Sequence, residues 1–270
     1  MLVKTEAIVL HSFKYGETRL IVDMFTKAVG RMSFIVPLPK MPKSRLKKQY
    51  FQPMTLLEVE CDVRQRVQLQ KLKDARLSTP YVSIPFVPEK LAQSLFVAEF
   101  LYHALRSEQQ NEPMYAFVSG AMQWLDAAVA GYANFHLAFL MRLSRFLGFY
   151  PNLEERGERR EIRGEVTIER GGRKEERGEG SGGPEPELFF DLREGHFLTA
   201  APLHRDFLPP AESRLIRLLM RMDFATMHLY RLSRHDRNRI LEVLLGYYRL
   251  HIPQFPELKS LAVLQELWAD

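Results

Sequence analysis

The hydrophobic pattern of this 270-residue chain changes its period at Pro80, and this change limits what the chain can fold into. Before Pro80, β-branched and aromatic residues alternate with polar ones in runs separated by short turn signals, which is typical of strands. After Pro80, apolar residues recur at spacings of three and four, which is typical of helices. The sequence therefore predicts an α+β multi-domain protein, with a β domain over residues 1–80 and a helical domain over residues 81–270.

Five strands are predicted in the first domain. They are Lys4 to Phe13, Thr18 to Thr26, Arg31 to Leu38, Pro53 to Val63 and Val67 to Leu77. Gly16 and Gly30 stand in the first two hairpin turns, where glycine accepts the positive φ that tight turns need. On strands two and three, alternation predicts one buried face: Leu20, Val22, Met24, Met32, Phe34 and Val36. Five short strands with a longer link after the third match an N-terminal five-stranded OB-fold β-barrel, and an SH3-like barrel fits the count nearly as well.

The second domain is predicted to be all-α. A stripe at helical spacing marks its first helix: Leu91, Leu95, Ala98, Tyr102 and Leu105. Further helices are predicted over 113–129, 134–147, 210–222, 233–250 and 260–268. They are interrupted at 154–187, where Gly, Glu, Arg and Lys fill 27 of 34 positions. This segment has too little apolar surface to offset its ordering entropy, so we expect a disordered or hairpin insertion.

Basic residues are concentrated in the first domain. The net charge is +5, and residues 1–80 alone hold 15 Lys and Arg against 7 Asp and Glu. Five cations occur close together between strands three and four: Lys40, Lys43, Arg45, Lys47 and Lys48. A local excess of cations beside a small barrel favours contact with phosphate backbones, because released counterions drive such binding. The alternative is a solvated basic loop that only aids solubility.

Other side chains can extend this phosphate track. Arg19 and Arg31 lie on neighbouring strands, and Tyr15 and Tyr50 are placed for stacking on bases, although most aromatic residues of such a barrel are expected in its core. Two arginine sets occur at helical spacing in the second domain: Arg142 with Arg145, and Arg214 with Arg217 and Arg221. Each set is either the solvent side of an amphipathic helix or an acceptor for an acidic peptide or a second DNA strand.

Several classes of protein are disfavoured. Cys61 is the single cysteine, so the chain can form neither an internal disulfide nor a cysteine-based zinc site, and we expect a reducing cytoplasmic location. The N-terminus lacks a signal-peptide pattern, and no apolar run approaches the ~20 residues of a membrane helix. No GxSxG, Walker A, GxGxxG or HExxH motif occurs. We expect no enzyme activity, no cofactor and no membrane partner. The alternative is a metal-dependent hydrolase or nuclease.

Three stretches of the chain resemble the RecO family of recombination mediators. They are KTEAIVLHSFKYGETRLIVDMFTKAVGRMSFIV from Lys4, PKSRLKKQYFQPMTLLEVE from Pro42 and GYYRLHIPQFPELKSLAVL from Gly246. Their order and spacing carry the resemblance, which extends over nearly the whole chain. Many proteins of this family have a four-cysteine zinc motif in the helical domain. That motif is absent here, so metal binding is not carried over.

The resemblance implies a non-enzymatic, nucleoid-associated protein that binds single- and double-stranded DNA and anneals complementary strands in the RecF pathway. The implied partners are RecR, the acidic C-terminal tail of single-stranded-DNA-binding protein and, indirectly, RecA. The implied DNA contacts are Arg19, Arg31 and the cations from Lys40 to Lys48. From the residues alone, an OB-type RNA-binding factor would look identical, so both hypotheses stay open at this point.

Overall fold

The computed structural model describes residues 1–37, 46–64, 66–106, 108–152 and 187–267. Its contacts divide the chain into two compact units, one made of residues 1–150 with 219–270 and the other of residues 151–218. Among the described residues, no helix is both long and apolar enough to cross a lipid bilayer.

Five strands form a closed barrel at the N-terminus. They are β1 (Leu2–Tyr15), β2 (Arg19–Thr26), β3 (Gly30–Pro37), β4 (Leu56–Asp62) and β5 (Leu69–Thr79). The strand order is β1-β2-β3-β5-β4, with a parallel pair between β3 and β5 and an antiparallel pair between β4 and β1 that completes the closure. This arrangement confirms the predicted OB barrel and excludes the SH3-like alternative.

Alternate side chains of each strand fill the barrel interior. The buried set includes most of the predicted face of β2 and β3: Leu20, Val22, Met24, Phe34 and Val36. Met32 is partly buried against this cluster. The register between β2 and β3 pairs Val22 with Phe34, which brings the two large side chains into the same layer of the core.

Six α-helices follow the barrel among the described residues. They are α1 (Pro88–Ala104), α2 (Glu112–Ala127), α3 (Phe135–Phe146), α4 (Pro210–Arg221), α5 (Arg234–His251) and α6 (Ser260–Gln265). Every predicted helix is present. The N-terminus of α5 is closed by a capping box, in which Ser233 Oγ accepts the N–H of Asp236 and the Asp236 carboxylate accepts the N–H of Ser233, both at 3.1 Å.

The buried side of α1 matches the predicted stripe only in part, since Ala98 and Leu105 are buried as predicted. Leu91 and Leu95 are 39% and 41% exposed, whereas Phe96 and Phe100 are fully buried. The spacing was misleading because α1 carries apolar residues on nearly all sides, so helical periodicity alone does not select the face that packs.

The β2–β3 turn packs against the loop between α1 and α2. Gly30 has a φ of +80°, and a Cβ at this position would lie 2.4 Å from the backbone carbonyl carbon of Gln109. The next residue, Arg31, donates its N–H to the carbonyl oxygen of Glu108 at 3.0 Å. Glycine is therefore required both by the backbone conformation and by the lack of space.

The second unit contains a small sheet that the sequence did not predict. Its strands are β6 (Phe189–Asp191), β7 (His196–Leu198) and β8 (Phe207–Leu208), in the order β7-β6-β8. Strands of two or three residues are too short to show alternation, so the hydrophobic pattern gave no signal. The predicted insertion over 154–187 lies outside the described residues, apart from Glu187.

Candidate nucleic-acid interface

The helices cover part of the outer face of the barrel. Outward side chains alternate with core residues along β2. Towards the C-terminal end of this strand, Phe25 is fully buried and its ring lies 5.9 Å from the ring of Tyr115 on α2. At the other end, Arg19 is exposed and Ile21 is half-buried. On β2, the end that carries Arg19 is therefore the part that a ligand can reach.

Strand pairing gathers aromatic, aliphatic and cationic side chains at this end of the barrel. The set, which we call the open face, consists of Phe13, Tyr15, Arg19, Ile21, Ile35, Pro37 and Lys71. Arg19 lies opposite Tyr15 of β1 on one side and opposite Pro37 of β3 on the other. Lys71 of β5 lies opposite Ile35 of β3. Four strands thus contribute to one continuous surface.

Two aromatic rings of the open face are accessible. Phe13 is 42% exposed and Tyr15 is 53% exposed. Exposed rings can stack on bases, and such stacking tolerates any sequence because every base has a π-face. Tyr50, the other predicted stacking residue, is half-buried, and the ammonium of Lys47 lies 5.8 Å from its ring centroid.

Two exposed cations of the open face, Arg19 and Lys71, have no carboxylate partner among the described residues. The same holds for Lys47 and Lys48, at the end of the basic segment. Other cations of the barrel surface are paired: Lys4 lies 3.5 Å from the carboxylate of Glu60, and Arg76 lies 2.6 Å from that of Glu58. Unpaired cations can neutralise phosphates without first losing a protein partner.

The remaining cations of the predicted phosphate track, Lys40, Lys43 and Arg45, lie outside the described residues. The strand before them ends at Pro37, opposite Arg19. The described chain resumes at Leu46, which is 8% exposed and belongs to the barrel core. The described residues on either side of the basic segment, Pro37 and Leu46, therefore both belong to the barrel.

Arg31 does not lie on the open face. Its Nη1 donates to the carbonyl oxygen of Tyr102 at 2.6 Å, and its Nη2 lies 3.7 Å from the carboxylate of Asp23. The side chain is 12% exposed. The guanidinium is thus engaged at the junction between β3 and α1, which leaves little of it accessible for the DNA contact that the sequence predicted.

The predicted arginines of the first unit also contact protein groups. Arg142 lies 3.8 Å from the carboxylate of Asp223, and the guanidinium of Arg145 lies 4.2 Å from the ring centroid of Tyr150. Arg221 is exposed in the last turn of α4. These contacts hold cations in place near the surface.

The two predicted arginines of the second unit are arranged differently. Arg214 lies 3.9 Å from the carboxylate of Glu187, and both side chains are more than half exposed. The guanidinium of Arg217 lies 5.7 Å from the ring centroid of Phe197. The first contact is a solvated ion pair of small energy, and the second is a cation–π contact.

The contribution of β5 was missed by the sequence analysis. Lys71 lies between the buried residues Gln70 and Leu72, so alternation alone marks it as outward-facing. Its place on the open face depends on the parallel pairing with Ile35, which is distant in sequence. A local pattern carries no signal for such a pairing.

The residues of the second unit do not fit the zinc site of many RecO-like proteins. The single cysteine, Cys61, is buried in the barrel. Asp191 Oδ1 accepts the N–H groups of Arg193 at 2.8 Å and Glu194 at 3.2 Å, and its Oδ2 lies 3.2 Å from Nε2 of His204. Both carboxylate oxygens therefore have protein partners, and no thiolate is available as a ligand.

Comparison with known proteins connects this architecture to one family. The family model for the recombination protein O N-terminal region matches residues 1–81, and the model for the C-terminal region matches residues 86–262. The DNA repair protein RecO of Phocaeicola vulgatus is 42% identical over 269 residues, which covers 100% of both chains. The RecO of Bacteroides fragilis is 42% identical over 271 residues, covering 99% of this chain and 100% of the relative. The RecO of Porphyromonas gingivalis is 32% identical over 270 residues with the same coverage. The chain, with its OB barrel and the helices that follow, belongs to the RecO family of DNA repair proteins.

Proposed function

We propose that this protein is a recombination mediator of the RecF pathway that binds single- and double-stranded DNA and anneals complementary strands without catalysing a reaction. The open face is the observation that carries the proposal. There, exposed rings at Phe13 and Tyr15 lie beside the unpaired cation of Arg19. Cations neutralise phosphates and rings stack on bases, so one surface serves both parts of an unpaired strand.

Annealing follows from the kind of contact that this surface makes. Lysine and arginine contacts with phosphates reduce the repulsion between two strands and do not depend on base identity. Stacking on Tyr15 uses the flat face of a base and leaves its Watson–Crick edge free. A strand held on the open face can therefore still pair with its complement.

The proposed protein partners are those of the family. We propose that RecR binds the chain, that the acidic tail of single-stranded-DNA-binding protein docks on the helical region, and that RecA is loaded indirectly, all in the cytoplasm at the nucleoid. Arg142 on α3 lies 3.8 Å from the carboxylate of Asp223. The next residue in the chain, Phe224, is half-buried, and its ring centroid lies 6.1 Å from that of Phe117 on α2. Cationic and aromatic side chains close together in this way suit a peptide that is both acidic and apolar.

Salt-dependent binding by the full-length chain tests the DNA-binding role. Fluorescence anisotropy is measured for a labelled single strand with the wild type and with an Arg19→Gln, Lys71→Gln double variant. We expect the variant to bind more weakly and the slope of log affinity against log salt to fall by about 1.4, because two phosphate contacts with a single strand are lost. Arg76→Gln is the matched control, since its cation is paired with Glu58. Unchanged affinity of the double variant at low salt would contradict the proposal.

A second comparison separates DNA from RNA as the ligand. The same sequence is offered as single-stranded DNA and as RNA, and the rate of annealing is followed with complementary labelled strands. We expect faster annealing of DNA with the wild type than without protein, and a smaller gain with the double variant. Tighter binding to RNA, without any gain in DNA annealing, would favour the alternative of an OB-fold RNA-binding factor.

A further inference from the structure

A row of ring contacts leads from the open face to the C-terminal end of α1. The ring centroid of Phe13 lies 5.7 Å from that of His11, His11 lies 4.7 Å from Tyr102, and Tyr102 lies 4.9 Å from His103. Nδ1 of His103 lies 3.4 Å from Nη2 of Arg106. Continuous contacts thus connect the exposed ring of Phe13 with the exposed guanidinium of Arg106.

The residues of this row on α1 and just after it remain accessible. Tyr102 and His103 are half-buried, and Arg106 is exposed. The hydroxyl of Tyr102 has no hydrogen-bond partner among the described residues and is not buried. Its ring is fixed by the guanidinium of Arg31, 4.6 Å from the ring centroid. The hydroxyl is therefore held in a defined position before any ligand arrives.

The charges around the row favour an anion. Arg106 has no carboxylate within ion-pair distance in the part of the chain that the structure describes. Glu99, one turn before His103, accepts the N–H groups of Lys259 and Ser260 at 2.9 and 2.8 Å, so part of its charge is compensated at the start of α6. Burial, and then the charge of Arg106, lower the pKa of His103 below its usual 6.5, so the neutral imidazole still offers one N–H.

We propose that the end of α1 is a second stretch of nucleic-acid contact, in which the Tyr102 hydroxyl, His103 and Arg106 bind the phosphates of a single strand that leaves the open face past Phe13. The inference rests on the proposed function, because the open face supplies the strand. Hydroxyl, imidazole and guanidinium groups all donate to phosphate oxygens. The contact is to the backbone, since the face of the Tyr102 ring is already covered by Arg31.

The dependence of affinity on strand length tests this inference. Anisotropy is measured with labelled oligothymidylates of about 6 and about 20 nucleotides, lengths chosen around the site size of a single OB fold. For a Tyr102→Phe, Arg106→Gln double variant we expect a several-fold loss of affinity for the longer strand and a salt slope lower by about 0.7, with binding of the shorter strand unchanged. The phenylalanine keeps a ring beneath Arg31, so the junction is preserved. Arg76→Gln, which removes a cation from a paired site, should leave both affinities near the wild-type values.

Three outcomes of these binding measurements would overturn the inference. If the double variant and the wild type bind the longer strand with equal affinity, the inference is overturned. The row of rings would then serve only to connect the barrel with α1. A lower melting temperature without weaker binding has the same meaning. An equal loss at both lengths also overturns it, because Arg106 would then belong to the primary site. If the wild type binds neither strand, the proposed function itself fails.

Discussion

The guanidinium of Arg31 lies 4.6 Å from the ring centroid of Tyr102 and donates to the carbonyl oxygen of the same residue at 2.6 Å. Tyr102 is in the last turn of α1, where the final carbonyl groups have no partner within the helix. A cation at this position satisfies one of these carbonyls and complements the helix dipole. One side chain of β3 thus connects the barrel with the helix that follows it.

Replacing Arg31 should destabilise the protein. We expect Arg31→Gln to lower the free energy of unfolding by about 2 kcal/mol, because a charge-assisted hydrogen bond is lost and Asp23 loses its nearby cation. Arg31→Lys should lose less, since it keeps the charge but cannot reproduce the planar stacking. Urea unfolding measures both changes. Weaker DNA binding at unchanged stability would show instead that Arg31 is a DNA contact, as the sequence predicted.

Local sequence signals predicted the barrel well because each strand shows its own alternation. The turns at Gly16 and Gly30 have φ values of +63° and +80°, as the turn chemistry requires. What local signals did not show is which outer half of the barrel is covered. Phe25 and Ile21 both point outward from β2, and only the packing of Tyr115 against Phe25 distinguishes them. The open face is therefore a product of tertiary structure.

The same limit explains the placement of the predicted site residues. Arg19 and Arg31 are both cations on neighbouring strands, and the sequence assigned them one role. They differ because Arg31 lies where α1 ends, whereas Arg19 lies beyond the helices. In α1, Leu91 and Leu95 fit helical spacing as well as the buried residues do, so periodicity could not choose between the faces.

The two turn glycines should respond differently to alanine. At Gly16, with a φ of +63°, an added Cβ would have nothing within 4 Å, so Gly16→Ala should cost about 1 kcal/mol through backbone strain alone. At Gly30, the Cβ would lie 2.4 Å from backbone of Gln109, so Gly30→Ala must also displace the α1–α2 loop. We expect a further loss of about 2 kcal/mol. Thermal unfolding of the two variants tests this, and equal losses would show that the loop yields freely.

The small sheet of the second unit should depend on Asp191. Its carboxylate accepts two backbone N–H groups, from Arg193 at 2.8 Å and Glu194 at 3.2 Å, so Asp191→Ala leaves these donors without an acceptor. We expect faster amide hydrogen exchange in the β6–β7 hairpin and unchanged exchange in the barrel. Asp206→Ala is the matched control in the same region. It removes an ion pair with Arg193 in which both side chains are partly exposed, and such pairs contribute little. Equal effects of the two substitutions would contradict the role of Asp191.

His136 should make stability depend on pH in the mildly acidic range. The side chain is buried on α3, where its ring nitrogen lies 3.2 Å from Oε1 of Gln93, and burial followed by the charge of Arg237 lowers its pKa from 6.5 to about 3. Between these two values the unfolded chain binds a proton that the folded chain does not, so stability falls as the pH falls. The slope from this residue is at most about 1.4 kcal/mol per pH unit. Urea unfolding between about pH 6.5 and pH 5 measures this slope, because most carboxylates titrate below that range.

The control is a variant without the titrating group. His136→Asn should be less stable at neutral pH, but its free energy of unfolding should depend less steeply on pH. The same slope in the variant and the wild type would assign the pH dependence to other groups.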